Sequence, residues 1–211
     1  VNGTGSQTAN SALIRAIFRM GVPVNGKNIF PSNIQGLPTW FTIRLSREGY
    51  VARRDTSEVL VAMNQATIME DIRDLPPGGV CFYPEEWAIR HERDDVIYYA
   101  MPVKALMAGM DVPPNLRDYV VNMTYVGFVS ALLGIEISEV EAALNIHFKG
   151  KASAVTLNMK VANAAYDWAK ANITKRDIYS VKRLDKATGK IILDGNSAAA
   201  SNPVRVMKSA G

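Results

Sequence analysis

The run Gly3-Thr4-Gly5-Ser6-Gln7-Thr8 reads as the end of a strand turning through a glycine loop into a helix. Glycines at such a turn let backbone approach a pyrophosphate, and the N-terminus of the helix that follows favours anions. The pattern Gly3-x-Gly5-x-x-Thr8 is only part of a dinucleotide fingerprint. Thr8 stands where the third glycine belongs, and Val22 to Phe30, where an acidic residue should hold a ribose hydroxyl, contains no Asp or Glu. No Gly-Lys-Ser/Thr follows, so the loop is not a P-loop. Spacing alone leaves three readings: a nicotinamide site, another anion site, or a tight turn with no ligand.

Other chemistry-bearing residues are few. His91 and His147 are the only histidines, and neither has metal-ligand spacing around it, which suits surface or structural roles. The single cysteine, Cys81, excludes an internal disulfide and a cysteine-ligated iron–sulfur cluster within this chain. It lies in the apolar run Gly79-Val80-Cys81-Phe82-Tyr83 and reads as a buried strand thiol. Glu85-Glu86 and Asp94-Asp95 read as solvated turns, and Trp40, Trp87 and Trp168 as core or interface anchors. Met101, Met107 and Met110 could form a packing or a docking surface. No nucleophile–base pair is readable from the linear sequence, so we expect no catalytic residue and no metal site.

The elements that must carry the glycine loop follow from hydrophobic periodicity. Leu13, Ile14, Ile17, Phe18 and Met20 recur at helical spacing, and Gly21-Val22-Pro23 stops that helix. Strand-like runs follow at Ile29-Phe30 and Trp40–Leu45, separated by the breaker-rich Pro31-Ser32-Asn33-Ile34-Gln35-Gly36-Leu37-Pro38. The nearly unbroken apolar run Glu58–Met63 predicts a central parallel strand covered on both faces, closed by Asn64-Gln65. A helix through Met69 and Ile72, strands at Val80–Tyr83 and Asp95–Ala100, and helices at Leu116–Leu133, Glu139–Asn145 and Ala152–Ile173 complete the pattern. Ser138 with Glu141 would form a capping box. The expected fold is α/β, a mostly parallel sheet flanked by helices, with a helical C-terminal section. The strand that should precede the glycine loop is nearly absent, so we expect the natural polypeptide to start earlier. Lys190 to Ala200 reads as the approach to a new domain, and Ser201–Gly211 fits no element.

Composition bounds the function. The chain has 211 residues, 48% hydrophobic and 21% charged, which suits a globular domain with a real core. The net charge is +4, and the basic residues are dispersed apart from pairs such as Arg53-Arg54 and Lys182-Arg183. A nucleic-acid binder would cluster them. No apolar run is long enough for a membrane helix and no signal peptide is evident, so a cytoplasmic location is expected.

Several segments, taken in order, resemble one family. Asn2-Gly3-Thr4-Gly5-Ser6-Gln7-Thr8-Ala9 is similar to the Gly-x-Gly-Gly-Gln-Gly opening of the gamma subunits of 2-oxoacid:ferredoxin oxidoreductases, with Ser6 and Thr8 in place of two glycines. Val59–Gln65 resembles that family's apolar strand ending in polar residues, and Asn122-Met123 to Gly127, Leu133-Gly134, Ile137-Ser138 to Glu141, Phe148–Lys151 and Asn158 follow its helical second half. Pro31–Trp40 looks like the form fused to the N-terminus of an alpha subunit, and Gly195-Asn196-Ser197-Ala198-Ala199-Ala200 resembles the opening of the thiamine-pyrimidine domain that follows there. The resemblance implies a fold like domain III of pyruvate:ferredoxin oxidoreductase. The gamma-type domain would span residues 1–190, with residues 191–211 either the start of the thiamine-pyrimidine domain or a disordered or truncated tail.

The same resemblance implies a function. The family oxidatively decarboxylates a 2-oxoacid such as 2-oxoglutarate, transfers the acyl group to coenzyme A and passes electrons to ferredoxin. The gamma domain would pack beside the active site and help to hold coenzyme A. Thiamine diphosphate, magnesium and iron–sulfur clusters would belong to the pyrimidine domain, the beta subunit or other partners. The residues implied at the coenzyme are Gly3, Thr4, Gly5, Ser6, Gln7, Ser32, Asn33, Gln35, Asn64 and Gln65, gathered at the carboxyl edge of the sheet. The rival readings are a stand-alone Rossmann-type nucleotide-binding module and a purely structural assembly domain.

Overall fold

A computed structural model describes residues 5–29, 38–50, 52 and 54–193. Helix α1 (Ser6–Arg19) opens the described chain. Strands β1 (Val24–Ile29) and β2 (Trp40–Leu45) follow as an antiparallel pair, in register from Val24 opposite Leu45 to Ile29 opposite Trp40. Next come β3 (Val59–Val61), α2 (Ile68–Arg73), β4 (Val80–Pro84), a short 3₁₀ turn (Glu85–Trp87) and β5 (Ile97–Met101). The second half is helical: α3 (Val103–Ala108), α4 (Pro114–Val120), α5 (Met123–Leu133), α6 (Ile137–His147) and α7 (Ala152–Asn172).

The three strands β3, β4 and β5 form a parallel sheet in that order. All five residues of β4 are buried, as a strand covered on both faces must be. The strand expected at the centre, β3, is instead outermost among the described residues, three residues long and half-buried. Its side chains pack half-buried against the two hydrophobic clusters, Val59 and Val61 on one and Leu60 on the other. The run expected to be one helix from Leu116 to Leu133 divides at Val121-Asn122. There the N–H and hydroxyl of Thr124 both donate to the Val121 carbonyl. The division separates an exposed helix from a buried one: in α4 only Val120 is buried, whereas α5 is buried from Met123 through Leu132.

The expected capping box of α6 does not form. The helix starts at Ile137 with Glu136 in the cap position, Ser138 lies inside it, and no side chain caps it. The carboxylates of Glu136 and Glu139 are engaged elsewhere, by Arg183 at 2.5 and 2.7 Å, with Arg19 also on Glu139 at 2.7 Å. These hydrogen-bonded guanidinium partners hold both carboxyls below the usual glutamate range.

The core joins the sheet to α5 and α7. Phe82 of β4 stacks on Tyr99 of β5 at 5.3 Å and meets Phe128 of α5 edge-on at 6.2 Å, while Phe128 stacks on Trp168 of α7 at 5.8 Å. Met101 and Met107 are buried here and Met110 packs against them, so this methionine group is packing, not a docking face. Gly127 lets α5 and α7 touch, since a Cβ there would lie 2.0 Å from the Ala162 carbonyl oxygen.

Beyond α7, residues 173–193 are irregular but closely held. The Asp177 carboxylate is fully buried and accepts hydrogen bonds from the Tyr99 hydroxyl (2.9 Å), the Tyr179 N–H (2.9 Å) and Lys175. The Tyr99 oxygen in turn accepts the N–H of Arg176 at 2.6 Å. Further on, Val181 donates to the Leu133 carbonyl, and Leu184 and Lys186 donate to the carbonyls of Met20 and Gly21. The segment therefore straps β5, the end of α5 and the end of α1 together. Replacing Tyr99 by Phe removes one donor and one acceptor from this buried network. It should lower unfolding free energy by about 1–3 kcal/mol in urea titrations. A loss below a few tenths of a kcal/mol would show that the strap contributes nothing to the fold.

Candidate functional site

The residues singled out in the glycine loop meet the structure at the start of α1. Gly5 takes the N-cap position with φ +78°, the left-handed region glycine favours. A Cβ at Gly5 would stand 2.1 Å from the Tyr119 carbonyl oxygen of α4, so the position requires glycine twice over. No side chain caps α1 and its first turn contains no acidic residue. The first-turn N–H groups of Ser6 and Gln7 thus face an environment suited to an anion. Gln7 is exposed, and Ser6 is half-buried.

The rest of α1 explains why its N-terminus is held in place. Ala9, Ala12 and Ala16 are fully buried, and Leu13 and Ile17 nearly so, which allows close packing against α6. The buried Tyr125 hydroxyl of α5 donates to Asn10 at 2.8 Å. Thr8, in the first turn, lies 3.2 Å from Nε2 of His147, at the end of α6. Burial, and then the nearby positive charge of Arg15, push the His147 imidazole below its ordinary value, so it is neutral at neutral pH. The threonine that departs from the glycine pattern is thus accommodated by a partner 139 positions away.

Beside this turn opens a cleft of about 240 Å³, lined by Gly5 and Thr8, by Leu116, Tyr119 and Val120 of α4, by Phe148, and by Ala154, Leu157 and Asn158 of α7. A second hollow of about 290 Å³ lies between β5 and the end of α7, lined in part by Tyr98, Trp168 and Arg176. The charge of Arg176 is already engaged there, through the Tyr98 carbonyl at 2.8 Å and the Tyr99 ring at 5.6 Å.

Of the residues implied at the coenzyme, Gly5, Ser6 and Gln7 come together on one helix start. Asn64 and Gln65 lie just beyond the carboxyl end of β3, where the Asn64 Oδ1 accepts the Ala66 N–H at 3.0 Å in a local turn. They do not line the cleft that holds Gly5. Gly3, Thr4, Ser32, Asn33 and Gln35 lie outside the described residues. Tyr119 and Leu157 have no local signal as site residues, because only folding brings them to the loop. His147 looks structural from sequence and does act by holding Thr8, while His91 stacks on Tyr98 at 4.0 Å. Among the described residues no group of three or more His, Cys, Asp or Glu is placed to hold a metal. Among the described residues no helix is long and apolar enough to cross a membrane.

Residues 1–168 match the sequence pattern of the pyruvate ferredoxin/flavodoxin oxidoreductase family. The chain belongs to that family. Among relatives, it is 28% identical over 121 residues to the ketoisovalerate oxidoreductase subunit VorA of Methanothermobacter marburgensis, a stretch covering 56% of this chain and 24% of that subunit. It is 19% identical over 209 residues to subunit alpha of 2-oxoacid:ferredoxin oxidoreductase 2 from Aeropyrum pernix, covering 80% of this chain and 32% of the relative. The match therefore spans only about a quarter to a third of these oxidoreductase subunits.

Solved structures of the family share the fold. The 2-oxoglutarate:ferredoxin oxidoreductase of Magnetococcus marinus, solved with 2-oxoglutarate, coenzyme A and succinyl-CoA bound, superposes with TM-score 0.80 at 23% identity, covering 93% of this chain and 34% of that one. The gamma subunit of a keto/oxoacid ferredoxin oxidoreductase from Geobacter sulfurreducens superposes with TM-score 0.63 at 18% identity, covering 81% of this chain and 95% of that one. The family's parallel sheet flanked by helices is the fold of this chain, and it has the dimensions of a gamma subunit.

Two outcomes test the site's construction. Gly5→Ala should destabilise the fold by about 2–5 kcal/mol, from left-handed strain and overpacking against Tyr119, read from denaturant midpoints. Cys81 is fully buried in β4, and burial, with Asp71 nearby, pushes its thiol up to about 12. It should react with a thiol reagent only as fast as the chain unfolds, and rapid native-state labelling would contradict its placement.

Proposed function

We propose that this chain is the gamma-type domain fused ahead of an alpha-type subunit in a 2-oxoacid:ferredoxin oxidoreductase, and that it helps to hold coenzyme A beside the active site. On this reading the complex works in the cytoplasm, converts 2-oxoglutarate or a related 2-oxoacid to its acyl-CoA and passes the electrons to ferredoxin. The observation that carries the role of this domain is the start of α1. An uncapped helix N-terminus free of acidic residues, fixed by Gly5 against Tyr119, suits the pyrophosphate of the coenzyme.

The remaining machinery belongs to other parts of the complex. Thiamine diphosphate, with magnesium, supplies the carbanion chemistry of decarboxylation from the pyrimidine domain and the beta subunit, and the iron–sulfur clusters carry electrons in partner subunits. The chain's own cysteine is buried in β4 and unsuited to ligate a cluster. What this domain contributes is binding and orientation: backbone N–H groups at Ser6 and Gln7 oppose the phosphates, and the tie between Thr8 and His147 keeps that turn in place. The Asn64-Gln65 turn, just beyond the carboxyl end of β3, lies outside the cleft beside Gly5. On this reading the gamma-type domain spans residues 1–190, and residues 191–211 are either the start of the thiamine-pyrimidine domain or a tail.

The substitution Gln7→Glu separates this reading from a purely structural role. A carboxylate in the first turn of α1 should leave stability unchanged or raise it by about 0.3–1 kcal/mol through the helix dipole. It should also weaken coenzyme A binding about tenfold by repelling the phosphates, measured by titration calorimetry. A variant that folds normally and binds coenzyme A as the unaltered chain does would remove the glycine-loop helix from the coenzyme site.

A further inference from the structure

The hollow between β5 and the end of α7 lies along an open edge of the sheet. Among the described strands β5 is outermost, with β4 on its inner side. The Ile97 N–H donates to the Gly79 carbonyl, so Ile97, Tyr99 and Met101 turn their backbone groups towards β4. In a parallel ladder the alternate residues face away, which points the backbone groups of Tyr98 and Ala100 outwards. Nη2 of Arg176 donates to the Tyr98 carbonyl at 2.8 Å. The Tyr98 N–H and both backbone groups of Ala100 have no backbone partner among the described residues. Tyr98 and Ala100 line the hollow of about 290 Å³, together with Trp168, Asn172 and Thr174.

Unpaired strand groups beside a hollow are what an added strand uses: its main chain extends the ladder and a side chain fills the hollow. The charges along the edge select the strand. Arg176 stands beside Tyr98, fixed by that carbonyl and over the Tyr99 ring at 5.6 Å, while its Nε and Nη1 have no partner among the described residues. Glu85 lines the same hollow one residue beyond Pro84, which pairs with Met101. We infer that the outer edge of β5 takes up an extended peptide segment of a partner protein, with an acidic and a basic side chain two positions apart. The acidic side chain lies along Trp168 and reaches Arg176, the basic one reaches Glu85, and the main chain between them pairs with Ala100. Side chains two positions apart share one face of a strand at about 7 Å, and their own length covers the rest of the roughly 10 Å from Tyr98 to Met101. Asn172, at the hollow, lies about 21 Å along α7 from Asn158, at the start of α1, so this edge is independent of the coenzyme A reading.

The test is fluorescence anisotropy on the 211-residue chain with labelled six-residue peptides blocked at both ends. One carries glutamate and lysine two positions apart among valine and threonine, one has that order reversed, and one has glutamine at both positions. The two orders cover parallel and antiparallel addition. The variants are Arg176→Gln, which removes the fixed charge, and Thr174→Trp, which fills the hollow from an exposed position. Thermal melting reports whether each is folded. The expected result is that one charged peptide binds about tenfold more tightly than the glutamine peptide, and that each variant loses about tenfold for it. If Arg176→Gln fails to fold, Thr174→Trp decides by itself. Absence of binding by either charged peptide at about 1 mM overturns the proposal, as does equal binding by the folded variants. Equal affinity for the glutamine peptide overturns the assignment of Arg176 and Glu85.

Discussion

The rest of the fold depends on how closely α5 approaches α7. At Gly127 the two helices meet with no room for a side chain, because the Ala162 backbone occupies the place a Cβ would take. Close approach of this kind maximises dispersion contacts along both helices. It brings Phe128 onto Trp168, and Phe128 in turn onto Phe82 of the central strand. Full burial of side chains of this size contributes about 1.5–3 kcal/mol each, so the cluster ties helical layer and sheet into one body. The placement of α7 then fixes Leu157 and Asn158 beside the start of α1, which makes the candidate site a consequence of core packing.

The strap that follows α7 closes the structure from the other side. Its polar anchors are of two kinds. Asp177 is a buried carboxylate satisfied by a tyrosine hydroxyl, a backbone N–H and a lysine, whereas Arg183 is an exposed guanidinium shared between two glutamates. The buried anchor is the stronger, since an unmatched buried carboxylate is far more costly than a lost surface ion pair. The strap also reaches the carbonyls of Met20 and Gly21, at the end of α1 opposite the glycine loop. One helix thus carries the uncapped glycine turn at one end and the anchorage of the 173–193 segment at the other.

The departures from the family's glycine pattern acquire a physical account. Thr8 has a side chain where the pattern has none, and that side chain meets His147. Gly5 is retained where both a left-handed backbone and contact with Tyr119 leave no alternative.

The sequence by itself determined most of the local structure. Periodicity placed α1, β2, β4, β5 and α7 to within a few residues, the apolar context of Cys81 foretold its burial, and the glycine loop marked the start of α1. The order of segments also carried the resemblance to the oxidoreductase family, because motif identity and spacing are properties of the chain alone. Only the tertiary structure decided that β3 lies outside β4, that the 116–133 run breaks at Val121-Asn122, that Ser138 lies inside α6 without capping it, and that Glu136 and Glu139 pair with Arg183. It alone brought Tyr119, His147 and Asn158 to the first turn of α1. The reason is the range of the interactions: hydrophobic period and turn chemistry act over a few residues and are written locally. Strand order, ion-pair partners and cleft walls arise between residues far apart in the chain, whose proximity is settled only when the whole core packs.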